Sequence, residues 1–439
     1  MGINRILGPR TAPLATSLPG TLPASLGLGL AIAMLPALAA AQAGGVQLTF
    51  GISQNLRTDD NQALDVKSAG TTTSATTTLT FGVLSDTATQ HLSLNLAGDL
   101  RLSSGPATKG TDTTLGEPSL DLAYSLDGAH AGLKTTVFYH KADVSFLRPL
   151  TDFTDAQGHL ILPSDLADLT GTGNRAEYGA SLTYDWGRDG PLDFSLSAGL
   201  TGLDYSNTSS PALIDNRRAT LTGTAGLQID AATHASATLR FARFEMDDAG
   251  HTHSHSSGLD LAISRALQRG TVSATLSADH KAAGTGLSFH IDRAMDLPGG
   301  ALSAGLGLTR TAEGQTNPTG SLTWQHTLPR GQITAAVTRG VTQNAANADQ
   351  TTTALALGYA QDLGPTANLA LNLSYSLVDP GGANPTVTNQ GLDVTYSHAL
   401  TADWRLDLGY SHRDRDAGAG KARSNALFLT LHHDFNLRH

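Results

Sequence analysis

The feature that most constrains the fold is a two-residue alternation of apolar and polar side chains, which is clearest near the end of the chain. There Leu427, Leu429, Leu431 and Phe435 share one parity, whereas polar residues and the single exception Phe428 occupy the other. Residues two apart in an extended chain lie on the same side. The pattern therefore predicts a β-strand with one apolar and one polar face.

The same alternation begins at Val46 and recurs almost to the end of the chain, in about 18 to 20 segments of near membrane-spanning length. Short turns such as Asp127-Gly128 alternate with long polar connections, among them residues 59–71, 104–116 and 207–215, and residues 148–173 form the longest. This order of strands, short turns and long connections predicts consecutive antiparallel hairpins. Early apolar faces are Val46, Leu48, Phe50 and Ile52, then Leu79, Phe81 and Val83, then Leu92, Leu94 and Leu96.

A terminal strand that finishes on an aromatic, here Phe435, resembles the closing strand of Gram-negative outer-membrane β-barrels. The resemblance implies an all-β fold: an antiparallel up-and-down transmembrane β-barrel with short periplasmic turns and long extracellular loops. It also implies a bacterial outer-membrane location, contact with membrane lipid and lipopolysaccharide, and insertion by the barrel-assembly machinery. A β-solenoid or tandem β-sandwiches are the alternatives, but aromatics collect near strand ends, as Tyr184, Trp186 and Trp404 do, which favours a membrane barrel.

The first 43 residues have the layout of an export signal. Arg5 and Arg10 supply a positive region, residues 26–38 an apolar one, and Ala41-Gln42-Ala43 a small-x-small cleavage site. We therefore expect residues 1–43 to be a signal peptide and residues 44–439 to form the barrel, with no plug domain before Val46.

Composition agrees with a barrel and excludes several other classes. Charged residues make up 15% of the chain, against roughly 25% in soluble globular proteins. Without the two arginines of residues 1–43, 26 basic and 38 acidic residues remain, a net charge of −12, which argues against a nucleic-acid partner. The absence of cysteine excludes disulfides and thiolate metal sites.

The positions expected to face the lumen carry small or neutral polar side chains, such as Thr220, Thr222 and Thr224. Such side chains cannot fill a barrel of this size, since 16 to 18 strands already enclose an aqueous channel. The sequence therefore predicts a channel for small hydrophilic solutes. The alternative is a structural or interaction barrel: a surface receptor, an adhesin-like barrel or the outer-membrane component of a polymer-export assembly.

The connection of residues 148–173 combines apolar side chains with four aspartates. We predict that this third long loop folds into the lumen, where it would resemble the constricting loop of general porins, and that its 163–169 stretch is a short helix capped by Ser164. The alternative is a loop that packs over the outer rim of the barrel or stays mobile. Its carboxylates would favour cations. Candidate pore residues are Asp152, Asp155, Asp165 and Asp168, together with the inward-facing Arg240 and Lys134.

One outer loop collects histidines. His251, His253 and His255 follow one another at i, i+2 and i+4, and on an extended strand they would share one face, a spacing able to hold Zn²⁺ or Cu²⁺. His255 with Ser257 and Asp247 is the nearest approach to a hydrolytic set. Ser- and His-rich loop tips are common without either chemistry, so the sequence predicts neither an enzyme nor a cofactor.

Overall fold

The computed structural model describes residues 45–106, 110–144, 162–169, 173–208, 210–382, 385–418 and 420–438, and residues 46–439 form one compact unit. Within this part of the chain every regular element is a β-strand, and no helix is long and apolar enough to cross a membrane. The strands are β1 Val46–Asp59, β2 Thr72–Asp86, β3 Gln90–Gly105, β4 Gly110–Leu115, β5 Ser119–Asp127, β6 Ala131–Asp143, β7 Asn174–Trp186, β8 Leu192–Ser206, β9 Asn216–Gln228, β10 Thr233–Met246, β11 His253–Leu267, β12 Gly270–Lys281, β13 Gly284–Leu297, β14 Gly300–Arg310, β15 Thr316–Leu328, β16 Gly331–Gln343, β17 Asp349–Asp362, β18 Ala367–Asp379, β19 Val387–Ala399, β20 Trp404–Asp416 and β21 Lys421–Arg438.

Each strand pairs antiparallel with its neighbours, and β1 also pairs with β21, so the sheet closes on itself. Closure pairs the first strand with the last, so neither ends the sheet as an open edge, which is what a sheet in lipid requires. At the seam Phe50 of β1 lies opposite Phe435 of β21, with ring centroids 5.7 Å apart. The predicted antiparallel up-and-down barrel and its closing strand are confirmed.

The fourth barrel strand is interrupted. β3 pairs with β4 along its outer half and with β5 along its inner half, while Gly116 and Glu117 leave the ladder and donate backbone N–H bonds to Asp99. β4 and β5 therefore act as one bulged strand, which gives twenty barrel strands, at the upper end of the predicted range. Residues 110–115, which the sequence suggested were loop, continue this strand instead.

The register assigns every side chain to the lipid or the lumen. Exposed apolar residues such as Phe241, Leu261, Ile291 and Leu306 share the outward parity. Near the short turns an aromatic girdle surrounds the exterior: Trp186 stacks on Tyr184 and on Phe194, each at 5.5 Å between centroids. An apolar band with aromatic girdles is the exterior that a bilayer selects.

Candidate functional site in the barrel lumen

Residues 162–169, which we call the crossing segment, belong to the long connection between β6 and β7. Consecutive turns shape their backbone, with Asp168 N–H donating to Asp165 C=O at 2.8 Å and Leu169 N–H to the same oxygen at 3.1 Å. A single bond of the helical type does not make a helix, so the predicted short helix is wrong. The turns are sustained by contacts with the barrel wall on both sides.

On the near side, the Asp165 carboxylate is fully buried and accepts three hydrogen bonds. Arg175 of β7 donates from Nε at 2.5 Å and from Nη2 at 3.2 Å, and the Tyr205 hydroxyl of β8 donates at 2.7 Å. Glu177 accepts a further bond from Arg175 at 2.7 Å. A buried carboxylate held by a bidentate guanidinium and a phenol is a specific anchor. The negative charge of Asp165 is therefore compensated by the Arg175 guanidinium of the barrel wall.

On the far side, Leu166 packs against Val378 of β18 and Val387 of β19, and all three side chains are buried. The Arg415 guanidinium of β20 donates to the backbone carbonyl of Ala167 at 2.8 Å. A second apolar contact joins Leu162 to an alanine surface on β16 and β17, formed by Ala336, Ala354 and Ala356.

These two sets of contacts lie half-way round the barrel from each other. With β4 and β5 counted as one, β7 is the sixth barrel strand and β17 the sixteenth of the twenty. The crossing segment therefore bridges the lumen between opposite walls. Small inward residues on the far wall, above all Ala354 and Ala356, make room for it.

Asp168, three residues after Asp165, has a different environment. Burial raises the pKa of its carboxyl above the ordinary value of 3.8, the negative charge of Asp165 raises the pKa further, and the Arg415 guanidinium opposes both. The carboxyl is thus held in a partly desolvated position between two fixed charges.

Two cavities lie on the β9–β16 side of the crossing segment. The first, of about 630 Å³, follows the inner surface of these strands, and its wall includes Thr220, Thr222 and Ser288. The second, of about 600 Å³, has the crossing segment as one wall and includes Ser164 and Asn216. The Arg218 side chain lines both.

The inward-facing basic residues of the first cavity differ in how their charge is compensated. Arg240 donates to Asp260 at 2.8 Å and to Asp279 at 2.9 Å, and Lys281 pairs with Asp349 at 2.5 Å. Arg218 instead donates to the neutral Asn347 side chain at 2.5 Å and lies over the Phe244 ring at 5.4 Å.

The structure places the predicted pore residues in different parts of the lumen. Asp165 and Asp168 lie in the crossing segment, and Arg240 lies in the first cavity. Lys134 faces the lumen from β6 between Ser125 and Thr183, apart from both cavities. Asp152 and Asp155 lie outside the described residues. The basic side chains that lie near the acids of the crossing segment are Arg175, which binds Asp165, and Arg415, which acts on Asp168; neither was among the predicted pore residues.

Arg175 and Arg415 did carry a sequence signal. Each has the inward parity of its strand, and each lies at the end next to a long loop, where inward charges can meet a folded-in connection. The residues that they contact could not be predicted from the sequence, because the wall that a loop reaches is fixed only when the sheet closes into a barrel.

The structure does not place the three candidate metal ligands of the histidine loop on one face. β11 begins at His253, so His251 lies before the strand, in a turn with a φ of 46°, and does not continue the face of His253 and His255. The Asp248 carboxylate is already occupied by Thr252, whose hydroxyl and N–H bonds lower the pKa of that carboxyl. Among the described residues no group of three or more His, Asp or Glu side chains is arranged to hold a metal ion.

The suggested hydrolytic set is likewise not brought together as a triad. Asp247, which would orient the base, pairs with His251 at 3.0 Å. His255 and Ser257 both follow the outward parity of β11, on the same side as Leu259.

Comparison with solved structures finds outer-membrane barrels. The ferric-catecholate import receptor Fiu of E. coli has a TM-score of 0.51 at 10% identity, covering 90% of this chain and 82% of the receptor. The siderophore receptor PirA of Pseudomonas aeruginosa gives 0.48 at 10% identity, covering 88% and 80%, and OccK5 of the same organism gives 0.38 at 10%, covering 89% and 98%. No protein-family model and no curated protein sequence matches this chain.

The likeness to Fiu concerns the fold alone. Together with the closed sheet, the apolar exterior and the aromatic girdle, it confirms the predicted class and location: the protein is a bacterial outer-membrane β-barrel.

Proposed function

We propose that the protein is an outer-membrane channel for small hydrophilic solutes. The observation that carries the proposal is the pair of polar-lined cavities beside the crossing segment, joined at the shared side chain Arg218. Inward residues as small as Thr220 and Thr222 leave space that water and solutes occupy.

In this proposal the crossing segment is the constriction. It divides the lumen between opposite walls, and the two cavities offer a path on the side of β9–β16. The Asp165 charge is compensated by Arg175 within the near-wall anchor, so this aspartate narrows the channel without attracting cations. The cation preference predicted from the loop acids thus has no support from Asp165.

A receptor or other interaction barrel is the second candidate. The observation in its favour is that the crossing segment is anchored on both walls, by Asp165 on one side and by Arg415 and Leu166 on the other. A fixed bridge of this kind suits a barrel whose loops bind a partner. Such a barrel would conduct little, which separates it from a channel by direct measurement.

Single-channel recording of the refolded protein in a planar bilayer tests the proposal. The wild type is expected to give discrete, uniform openings, and Asp165→Asn is expected to give larger ones. The substitution leaves the Arg175 guanidinium without its buried charge partner, and breaking a buried ion pair costs roughly 3 to 5 kcal/mol of anchoring.

Asp127→Asn is the matched control. Asp127 pairs with Arg188 at 3.0 Å in an exposed turn at the short-turn end of the barrel, opposite to the end that holds the crossing segment, so its loss is expected to leave conductance unchanged. A folded wild-type barrel that passes no current, or an Asp165→Asn variant indistinguishable from the control, would contradict the channel and its constriction respectively.

A further inference from the structure

Arg218 has an unusual position among the basic residues of the lumen. It lies on β9, opposite Phe244 of β10 in the register, and its half-buried side chain borders both cavities. Its hydrogen bond goes to the Asn347 side-chain oxygen at 2.5 Å, and its guanidinium lies over the Phe244 ring. Asn347 is itself held by a bond from its amide to the Ser254 hydroxyl at 3.0 Å.

The inward-facing cationic neighbours of Arg218 are compensated by acids, whereas Arg310 and Arg339, which also border the first cavity, have the outward parity of β14 and β16. In the second cavity Arg175 is bound by Asp165 and Glu177. In the first cavity Arg240 is bound by Asp260 and Asp279, and Lys281 by Asp349. Among the described residues no carboxylate forms an ion pair with Arg218, whose partners are a neutral amide and an aromatic face.

A guanidinium that is withdrawn from bulk water and has no carboxylate partner among the described residues favours an anion from outside the protein. Its planar fork offers donors matched to a carboxylate or a phosphate, and one of its nitrogens is already fixed by Asn347. The second cavity adds neutral groups, Ser164, Asn216 and Asn344, which can bond a solute without adding charge. One uncompensated positive charge matches a singly charged carboxylate better than a doubly charged phosphate. Asp292, in the wall of the first cavity, makes that cavity less favourable to anions.

We propose that Arg218 is the binding site for the carboxylate of small organic acids on their way between the two cavities. This inference rests on the proposed channel function and names its substrate class. The bound carboxylate replaces water around the Arg218 guanidinium, while the rest of the solute lies against the neutral side chains of the second cavity.

The test uses benzoate as the carboxylate probe, benzamide as its neutral counterpart of the same shape, and inorganic phosphate as the other anion. Benzoate is expected to reduce the wild-type single-channel current in a saturable way, phosphate only weakly and benzamide not at all. In Arg218→Gln the benzoate concentration for half-maximal block is expected to rise roughly tenfold to a hundredfold, the effect of losing a charge-assisted hydrogen bond. Arg218→Lys retains the charge without the fork and is expected to lie between the two.

Lys134→Gln is the matched control, because Lys134 is an inward cation on β6 that borders neither cavity. It removes one positive charge from the lumen and is expected to leave benzoate block unchanged. Equal block of the wild type and Arg218→Gln, or an equal effect of Lys134→Gln, would overturn the proposal. Block by benzamide as strong as by benzoate would overturn it as well.

Calorimetric titration of benzoate into the detergent-solubilised barrel separates this proposal from the channel itself. Benzoate binding that Arg218→Gln abolishes, in a barrel that carries no current, would support the site and contradict the channel. Currents that are identical in both proteins, without benzoate binding to either, would leave the channel standing and refute the site.

Discussion

Asp165 and Asp168 are two carboxylates of one short segment with opposite surroundings. Asp165 is compensated by Arg175 and bonded by Tyr205, so its negative charge is part of the near-wall anchor. Asp168 is partly buried next to Asp165, and both the burial and the Asp165 charge raise the pKa of its carboxyl, whereas the Arg415 guanidinium lowers it. Residue type alone would give both the same role. Their partners, which come from distant strands, make one a fixed contact and the other a group that can respond to pH.

The pH response of Asp168 has a definite sign. Its pKa in the docked segment is raised above the ordinary value of 3.8 by burial first and by Asp165 second. A raised pKa means that the docked state binds the proton more tightly, so docking is strongest at acid pH and weakens as pH rises through the raised pKa. In single-channel records, transient widening of the wild-type pore is therefore expected to become rarer as pH is lowered from neutral toward 4.

Asp168→Asn provides the comparison for this effect. It removes the titrating group while keeping the side-chain shape, so the frequency of widening is expected to be low and independent of pH over the same range. Widening that becomes more frequent on acidification in the wild type, or a pH response that survives in Asp168→Asn, would contradict the role of this carboxyl.

At the level of single strands, most of the fold was readable from the sequence. The alternation predicted the strands, and several long connections end within one residue of the observed strand bounds, as residues 59–71 and 207–215 do. The alternation along the last strand did not explain why an aromatic residue, Phe428, lies on its polar face. In the register its ring lies over Gly409 of β20, inside the barrel, where the missing side chain leaves room for it. A cross-strand pair of this kind is visible only once the register is known.

The contact between Gly409 and Phe428 leads to a prediction about the stability of the β20–β21 pairing. A Cβ at position 409 would lie 2.1 to 2.6 Å from Phe428 ring atoms, so Gly409→Val must displace the ring. Overpacking of this kind costs about 1 to 3 kcal/mol, and the urea midpoint for unfolding from lipid vesicles is expected to fall accordingly.

Gly223→Val is the control for that measurement, since a Cβ there meets nothing within 4 Å and the position faces outward on β9. Its urea midpoint is expected to equal or exceed that of the wild type. Equal midpoints for the two valine variants would show that the ring of Phe428 adapts freely, against the packing seen here.

At the scale of the whole barrel, the number of strands determines which wall the crossing segment contacts. Residues 162–169 meet β17 to β20 because, in a ring of twenty strands, β17 lies half-way round from β7. The sequence could indicate that an apolar, acidic loop should seek a surface. It could not identify Val378 or Arg415 as that surface, since this contact joins positions more than 200 residues apart and exists only after the sheet has closed.

The same contact allows the constriction to be locked on purpose. The chain contains no cysteine, so Leu166→Cys with Val378→Cys introduces a single pair at a site where the native side chains already pack together. In a background of Asp165→Asn, where the near-wall anchor is weakened, the reduced protein is expected to show the enlarged conductance. Oxidation ties the segment back to β18 covalently, and the conductance is expected to return to the wild-type value.

Each single-cysteine variant in the same background controls for the substitutions, because neither can form the intramolecular disulfide. Both are expected to keep the enlarged conductance under oxidising and reducing conditions alike. If the oxidised pair also kept the enlarged conductance, the bridge between the opposite walls would not be what narrows the lumen. Recovery on oxidation and its loss on reduction would instead assign the constriction to the crossing segment as a whole, independently of any single charge in it.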